Sequence, residues 1–332
     1  MPSCITRPDL HDPGFAAAWE SRAAVSGASA FLSWSWAGCL ADERFSDPCL
    51  VEAAGSLALF NRRGRSWYLA ESGERGLDAV FTEHNGGLGP LAPILAAIRP
   101  VAGRVVLSGI GDAGLAAVRA AGGIVVGLHT RAAPYASLDP TKAPLEFMSR
   151  NARAQLRRSD RSYAAAGPIV AERAETAACA LDWLDRLVAW HRATWGGRAI
   201  ESGFLAPPVQ RFHRALVARG VPGGSVDVLR IAAGARVIGY LLNLRAHGRV
   251  HAYQSGFDYD SAGLHEKPGL SCHHAAMQRA RALGDREYDF LAGDSRYKRS
   301  LATASRDLHW LVWKPRPVLF GIELQLRRLL RR

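Results

Sequence analysis

Between Tyr253 and Arg299 the chain concentrates side chains able to move a proton or hold an anion. Tyr253-Gln254-Ser255-Gly256-Phe257-Asp258 comes first, then Glu266-Lys267-Pro268-Gly269-Leu270, then Tyr288 through Lys298. Only four lysines occur among 42 basic residues, and two of them, Lys267 and Lys298, fall here. Lys267-Pro268-Gly269 lies between a strand pattern and a helix pattern. Proline suits the first helical turn, and the free N–H groups there can hold a phosphate or pyrophosphate. The plain alternative is an ordinary helix start with an exposed lysine. Gly293-Asp294 follows a strand and opens the next helix, with Asp294 suited to an N-cap. Tyr297 and Lys298 then fall in the first turn. There a tyrosine can protonate a leaving thiolate and a lysine can neutralise an anionic donor; otherwise Tyr297 is a half-buried helix residue. If an amine is the nucleophile, Asp294 or Asp258 can take its proton and Gln254 can orient it.

Other constellations are weaker. His265, Cys272, His273 and His274 cluster in sequence, but adjacent helical residues diverge by about 100°, which disfavours a shared metal. His247 and His251 flank a turn and read as an exposed hairpin. Gly86-Gly87-Leu88-Gly89-Pro90 lacks the lysine of a phosphate loop, and no Gly-x-Ser-x-Gly elbow occurs. The five cysteines are scattered and odd in number, against a disulfide framework or a structural zinc.

The elements that must position these residues alternate. Strand patterns at Leu50–Phe60, Ser66–Ala70 and Asp78–Glu83 precede helices at Leu91–Ile98 and Ala113–Ala121 and strands at Arg104–Ser108 and Ile124–His129. Thr130–Ala143, with Pro134 and Pro140, reads as a linker. A basic helix over Pro144–Ala166 follows, then a strand at Ile169–Arg173 and helices at Ala177–Trp195 and Pro207–Arg219. Strands at Ser225–Ala232, Val237–Arg245 and Arg249–Gly256 lead to a helix at Gly269–Leu283, a strand at Glu287–Ala292, a short helix at Ser295–Ala302 and a strand at Leu308–Trp313. The second half repeats the order of the first. The fold class is therefore α/β with mixed sheets, in two lobes over 1–140 and 141–316. An amphipathic helix over 317–332, with Arg327, Arg328, Arg331 and Arg332 off its apolar face, ends the chain.

With 332 residues, 48% of them hydrophobic, two folded lobes are affordable, and no run is long enough to span a membrane. The formal net charge of +12 comes mostly from arginine in an Ala- and Gly-rich chain, a pattern that high-GC coding produces. Part of it is local: Arg150, Arg153, Arg157, Arg158 and Arg161 recur at helical spacing. A solvated face is the default reading; a phosphate-rich partner or a membrane surface is the other.

Lys-Pro-Gly-Leu at 267–270 and Asp-Phe-Leu-x-Gly-Asp-x-x-Tyr-Lys at 289–298 resemble the GNAT-superfamily acyltransferases of the FemAB-like and CelD-like tandem-lobe group. The basic helix from Ser149 resembles the start of that group's second lobe, and Phe31–Trp36 the opening of its first. The resemblance implies two GNAT-like lobes, each a mixed sheet flanked by helices, and transfer of an acyl group to an amine. It places the donor thioester between Arg249–Gly256 and Glu287–Ala292. Tyr297 would be the acid, Asp294, Asp258 and Gln254 the acceptor's groups, and Lys267, Gly269, Leu270 and Lys298 the donor's. Acyl-CoA, such as acetyl-CoA, is the expected co-substrate, with no metal and no DNA. Leu264–Leu270 stands where the group's usual Gln/Arg-x-x-Gly-x-Gly/Ala loop would be. Aminoacyl-tRNA as donor is therefore the alternative, and a non-catalytic scaffold of envelope-polysaccharide synthesis a third. The expected location is the cytoplasm, with the 317–332 helix available for peripheral membrane contact.

Overall fold

The structure, a computed structural model, describes residues 3–74, 82–142, 145–146, 148–195, 203–293 and 295–316. The first half runs β1 (Cys4–Thr6), α1 (Pro13–Ser26), α2 (Trp34–Arg44), β2 (Pro48–Ala53), β3 (Ser56–Arg63), β4 (Ser66–Leu69), α3 (Leu91–Ile98), β5 (Arg104–Ile110), α4 (Asp112–Ala120) and β6 (Ile124–Ser137). The second runs α5 (Arg150–Ala164), β7 (Ile169–Arg173), α6 (Ala177–Trp195), α7 (Pro207–Gly220), β8 (Val226–Ala233), β9 (Arg236–Ala246), β10 (Arg249–Phe257), α8 (Pro268–Ala282), β11 (Glu287–Asp289), α9 (Arg296–Leu301) and β12 (Ala304–Lys314). These elements form two compact units, 1–131 with 307–332, and 132–306. Asp294 and the helix expected over 317–332 lie outside the described residues, as does most of the strand expected at Asp78–Glu83.

In the first unit the strand order is β1-β2-β3-β4-β5-β12. The single strand expected over Leu50–Phe60 is instead a hairpin. Ala54 and Gly55 both have positive φ, 45° and 82°, the mirror-image turn that suits two twisted antiparallel strands. β4 and β5 run parallel through Ser66↔Arg104 to Tyr68↔Val106. Beyond that pairing the chain closes on itself: the Asn85 N–H donates to the Gly109 carbonyl at 2.9 Å and its side-chain amide to the Leu69 carbonyl at 2.8 Å. The last strand, β12, returns to pair antiparallel with β5 from His309↔Ile110 to Trp313↔Val105. Trp67, Val105, Leu107 and Trp313 share one core with α3 and α4, whose Ile94, Leu95, Ile98 and Val118 are fully buried.

In the second unit the order is β6-β11-β10-β9-β8-β7. The expected linker over Thr130–Ala143 is strand as far as Ser137. Pro134 is tolerated because it serves as an acceptor: its carbonyl takes the Phe290 N–H at 2.9 Å, and the ladder resumes at Tyr135↔Asp289. α5 is capped by Ser149, whose hydroxyl accepts the Ala152 N–H at 3.2 Å, a bond worth about 1 kcal/mol. Its buried stripe, Ala152, Leu156, Ser159 and Tyr163, follows the helical repeat and leaves Arg150, Arg157, Arg158 and Arg161 exposed. α5 lies against α8 through a polar seam in which Ser271 bonds both Ser159 at 2.8 Å and Asp160 at 2.6 Å. On the other face of the sheet α6 comes so close that a Cβ at Gly256 of β10 would collide with the Leu187 carbonyl.

Candidate active site

β10 and β11 pair in parallel only from Arg249↔Glu287 to His251↔Asp289. β11 then ends, and Phe290 turns to β6, while β10 continues to Phe257 against β9. The register of β10 slips between Ala252 and Gln254, so Tyr253 is an extra residue that bends the strand. Two parallel neighbours therefore part, and a gap opens between them past His251 and Asp289.

On the α8 side of this gap stands an aromatic cluster that the sequence did not reveal. His273 of α8 is 2% exposed and lies parallel to the Tyr297 ring, 5.1 Å between centroids and 8° between planes. Tyr288, Phe290 and Phe257 meet it edge-on at 5.7–6.0 Å. Its Nδ1 bonds the Tyr288 hydroxyl at 3.1 Å, whereas Nε2 has no partner among the described residues. Burial, seconded by the Lys298 charge, pushes its pKa down to about 3, so the imidazole is neutral. Burial likewise raises the Tyr297 phenol to about 12, helped by nearby Tyr259, so it holds its proton at neutral pH. A protonated phenol beside the gap is a competent general acid. Lys298, expected to meet a donor's phosphates, donates to the Leu291 and Ala292 carbonyls at 3.1 and 3.0 Å. It thereby ties down the strained turn in which Leu291 has φ 63°.

The opposite face carries a second polar set. Tyr253 reaches α7, its hydroxyl 2.7 Å from His213 Nε2, while His213 Nδ1 lies 2.6 Å from the Val209 carbonyl. His191 of α6 meets the Ser255 carbonyl through Nδ1 at 3.1 Å and is held neutral by burial. Gln254 sits at the bend in β10. Asp258, just past β10, accepts the Ser261 N–H at 3.1 Å. With Asp260, Tyr259 and Trp190 it lines a cavity of about 500 Å³. The expected hairpin histidines differ: His247 is exposed in the turn, but His251 is buried.

Residues 150–299 match the acetyltransferase (GNAT) domain family. These residues lie in the second unit, which is thus similar to a GNAT domain. No curated protein matches the chain. Solved structures share its two-lobed fold at low identity. FemX has 10% identity and a TM-score of 0.59 over 93% of this chain and 96% of its own. L-PGS from Bacillus licheniformis has 15% and 0.56 over 95% and 96%. A conserved protein of unknown function from Bacteroides thetaiotaomicron has 11% and 0.54 over 93% and 99%.

In a GNAT domain the turn before α8 is where a coenzyme A pyrophosphate would lie, and here it fits that group poorly. The Gly263 N–H donates to Glu266 Oε2 at 2.8 Å, the Glu266 N–H to the Gly263 carbonyl at 2.9 Å, and the Lys267 N–H to Ser159 Oγ at 2.8 Å. Pro268 has no N–H to offer. The buried Glu266 carboxylate itself stands in the loop, paired with Arg236 at 2.8 Å, and that pairing holds its pKa low and its charge negative. Gly269 and Leu270 are buried against the strands rather than presented to a ligand, with Phe257 and the Tyr259 hydroxyl 3.2 and 3.3 Å from where a Gly269 Cβ would be. The exposed side chain of Lys267 remains available. Among the described residues no group of His, Cys, Asp or Glu is placed to hold a metal, and no helix is long and apolar enough to cross a membrane.

Proposed function

We propose that this GNAT domain transfers an aminoacyl group from a polyanionic carrier, aminoacyl-tRNA in type, to the amine of a small acceptor. The reading rests chiefly on the gap between β10 and β11 with the protonated Tyr297 at its edge. A backbone N–H of β10 turned toward an activated carbonyl in that gap would stabilise the developing oxyanion. Tyr297 would protonate the carrier's oxygen or sulfur as it leaves. The choice of carrier is supported by the loop before α8, where the Gly263, Glu266 and Lys267 N–H groups bond within the protein and the Glu266–Arg236 ion pair occupies the turn. Exposed Arg157, Arg158 and Arg161 on α5, beside the exposed Lys267, suit an extended phosphate backbone. L-PGS and FemX share the two-lobed fold.

Acyl-CoA is the second reading, favoured by the GNAT family match. Binding of a mixed aminoacyl-tRNA pool and of acetyl-CoA, each over a salt series, separates the two. The carrier reading expects tRNA affinity that falls with salt at a logarithmic slope of roughly −2 to −4 for three or four phosphate contacts, reduced in an Arg157→Ala/Arg158→Ala variant. Micromolar, salt-insensitive acetyl-CoA binding lost in Lys267→Ala would replace it with the coenzyme A reading. An acceptor at the membrane or in envelope-polysaccharide synthesis belongs to the same proposal and is tested by an acceptor screen with the winning donor.

A further inference from the structure

The sheet face away from Tyr297 holds a hydrogen-bonded pair that the proposed reaction has not yet used. His213 is 0% exposed and Tyr253 nearly so. His213 Nδ1 lies 2.6 Å from the Val209 carbonyl, which can only accept, so Nδ1 carries the proton and Nε2 keeps its lone pair. The Tyr253 hydroxyl, 2.7 Å from Nε2, must then donate to it. The ring is clamped as well as bonded: Phe204 and Phe212 pack edge-on against His213 at 4.8 and 5.1 Å. Tyr253 is also the extra residue of β10, at the point where that strand parts from β11. Its backbone thus borders the gap, and its side chain leaves the strand on the face opposite the Tyr297 cluster.

We infer that Tyr253 and His213 form the proton-accepting pair for the incoming amine, an inference that rests on the acyl-transfer reading above. As the amine nitrogen bonds to the carbonyl carbon, one N–H proton passes to Tyr253 Oη. Tyr253's own proton moves along the existing bond to His213 Nε2, while Nδ1–H stays on the Val209 carbonyl. When the tetrahedral centre collapses, the carbon–carrier bond breaks and the leaving atom takes the Tyr297 proton. His213 then returns its extra proton through the Tyr253 hydroxyl once product has left and Tyr297 regains one, so the cycle closes without a co-reactant. The nucleophile is served from one face of the sheet and the leaving group from the other.

The test compares Tyr253→Phe, which removes one oxygen and keeps the clamped ring, with Tyr297→Phe. Donors are a mixed aminoacyl-tRNA pool and, in parallel, acetyl-CoA; acceptors are glucosamine and hydroxylamine. Hydroxylamine is a weakly basic nucleophile that needs little help to lose its proton. Tyr253→Phe is expected to lose about 100-fold in kcat/KM with glucosamine, the usual worth of a general base, and far less with hydroxylamine. Tyr297→Phe should lose with both. Equal losses for Tyr253→Phe with the two acceptors, or none with glucosamine, overturn the assignment. If the wild-type protein turns over neither acceptor with either donor, the transfer reading fails first and the base assignment falls with it.

Discussion

His273 offers a test of the site's interior that needs no substrate. A histidine in the unfolded chain titrates near 6.5, and in the folded protein it is pushed down to about 3. Because the folded pKa is the lower one, protonation favours the unfolded state. The penalty is absent above 6.5, grows as the pH falls below it, and stops growing near 3. At pH 5, one and a half units below the unfolded value at ~1.4 kcal/mol per unit, the folded state has lost about 2 kcal/mol relative to pH 8. His273→Gln cannot titrate, yet its amide can still bond Tyr288, so it isolates this contribution from His191 and the carboxylates. Urea unfolding of both proteins at pH 8 and pH 5, followed through the transition of the second unit, should show the wild type losing about 2 kcal/mol more than the variant. Nitrogen-15 spectra should also show His273 as one unchanging neutral tautomer across that range. Equal pH dependence in the two proteins, or a His273 signal that titrates near 6.5, would refute the picture of a dry aromatic enclosure around Tyr297.

Three further outcomes follow from the packing. Asp227, 2% exposed, faces Arg173 at 2.6 Å, Arg279 at 3.4 Å and Arg245 at 3.7 Å, so Asp227→Asn removes the charge shared by three half-buried arginines and should cost about 1–3 kcal/mol in a denaturant titration. Lys298→Met removes the ammonium that holds the Leu291 and Ala292 carbonyls; a loss of about 1–3 kcal/mol is expected, with faster amide exchange over 291–293. Gly256→Ala would drive a methyl into the Leu187 carbonyl, and a thermal scan should show a loss of about 1–3 kcal/mol as α6 is pushed off β10.

Much of the fold was legible because it is written in local pattern. The alternating strands, Pro268 at the first turn of α8 and the Gly284 stop at positive φ after it all announce themselves. The errors came where a local rule met a tertiary exception. Pro134 reads as a break, yet it lies in a strand that needs only its carbonyl. Ala54 gives no warning that, with Gly55, it will turn the chain. For the site, the place of Tyr297 in the first turn of a helix was readable from order and spacing, while the pairing of Arg249–Gly256 with Glu287–Ala292 was implied by the family resemblance. His273 and His213 were not readable, since an isolated histidine on a helix looks the same whether it faces solvent or a buried tyrosine. Their partners, Tyr288 and Tyr253, are 15 and 40 residues away, and only the sheet brings them within reach. Lys298 was noticed for its charge, but the structure uses it to pin a turn through two carbonyls.

The late arrival of β12 has a consequence for how the chain is made. β5 is central to the first unit, and Val105, Leu107 and Ile110 on it are fully buried. One edge of β5 is covered by residues 309–313, which leave the ribosome after the whole of 132–306. Vectorial synthesis normally lets the first unit of a chain finish first. Here the unit begun first is completed last, and its longest wait leaves an apolar strand with a row of unmet backbone groups. A chain truncated before Ala304 would therefore be prone to edge-to-edge association, while one released with β12 would be protected.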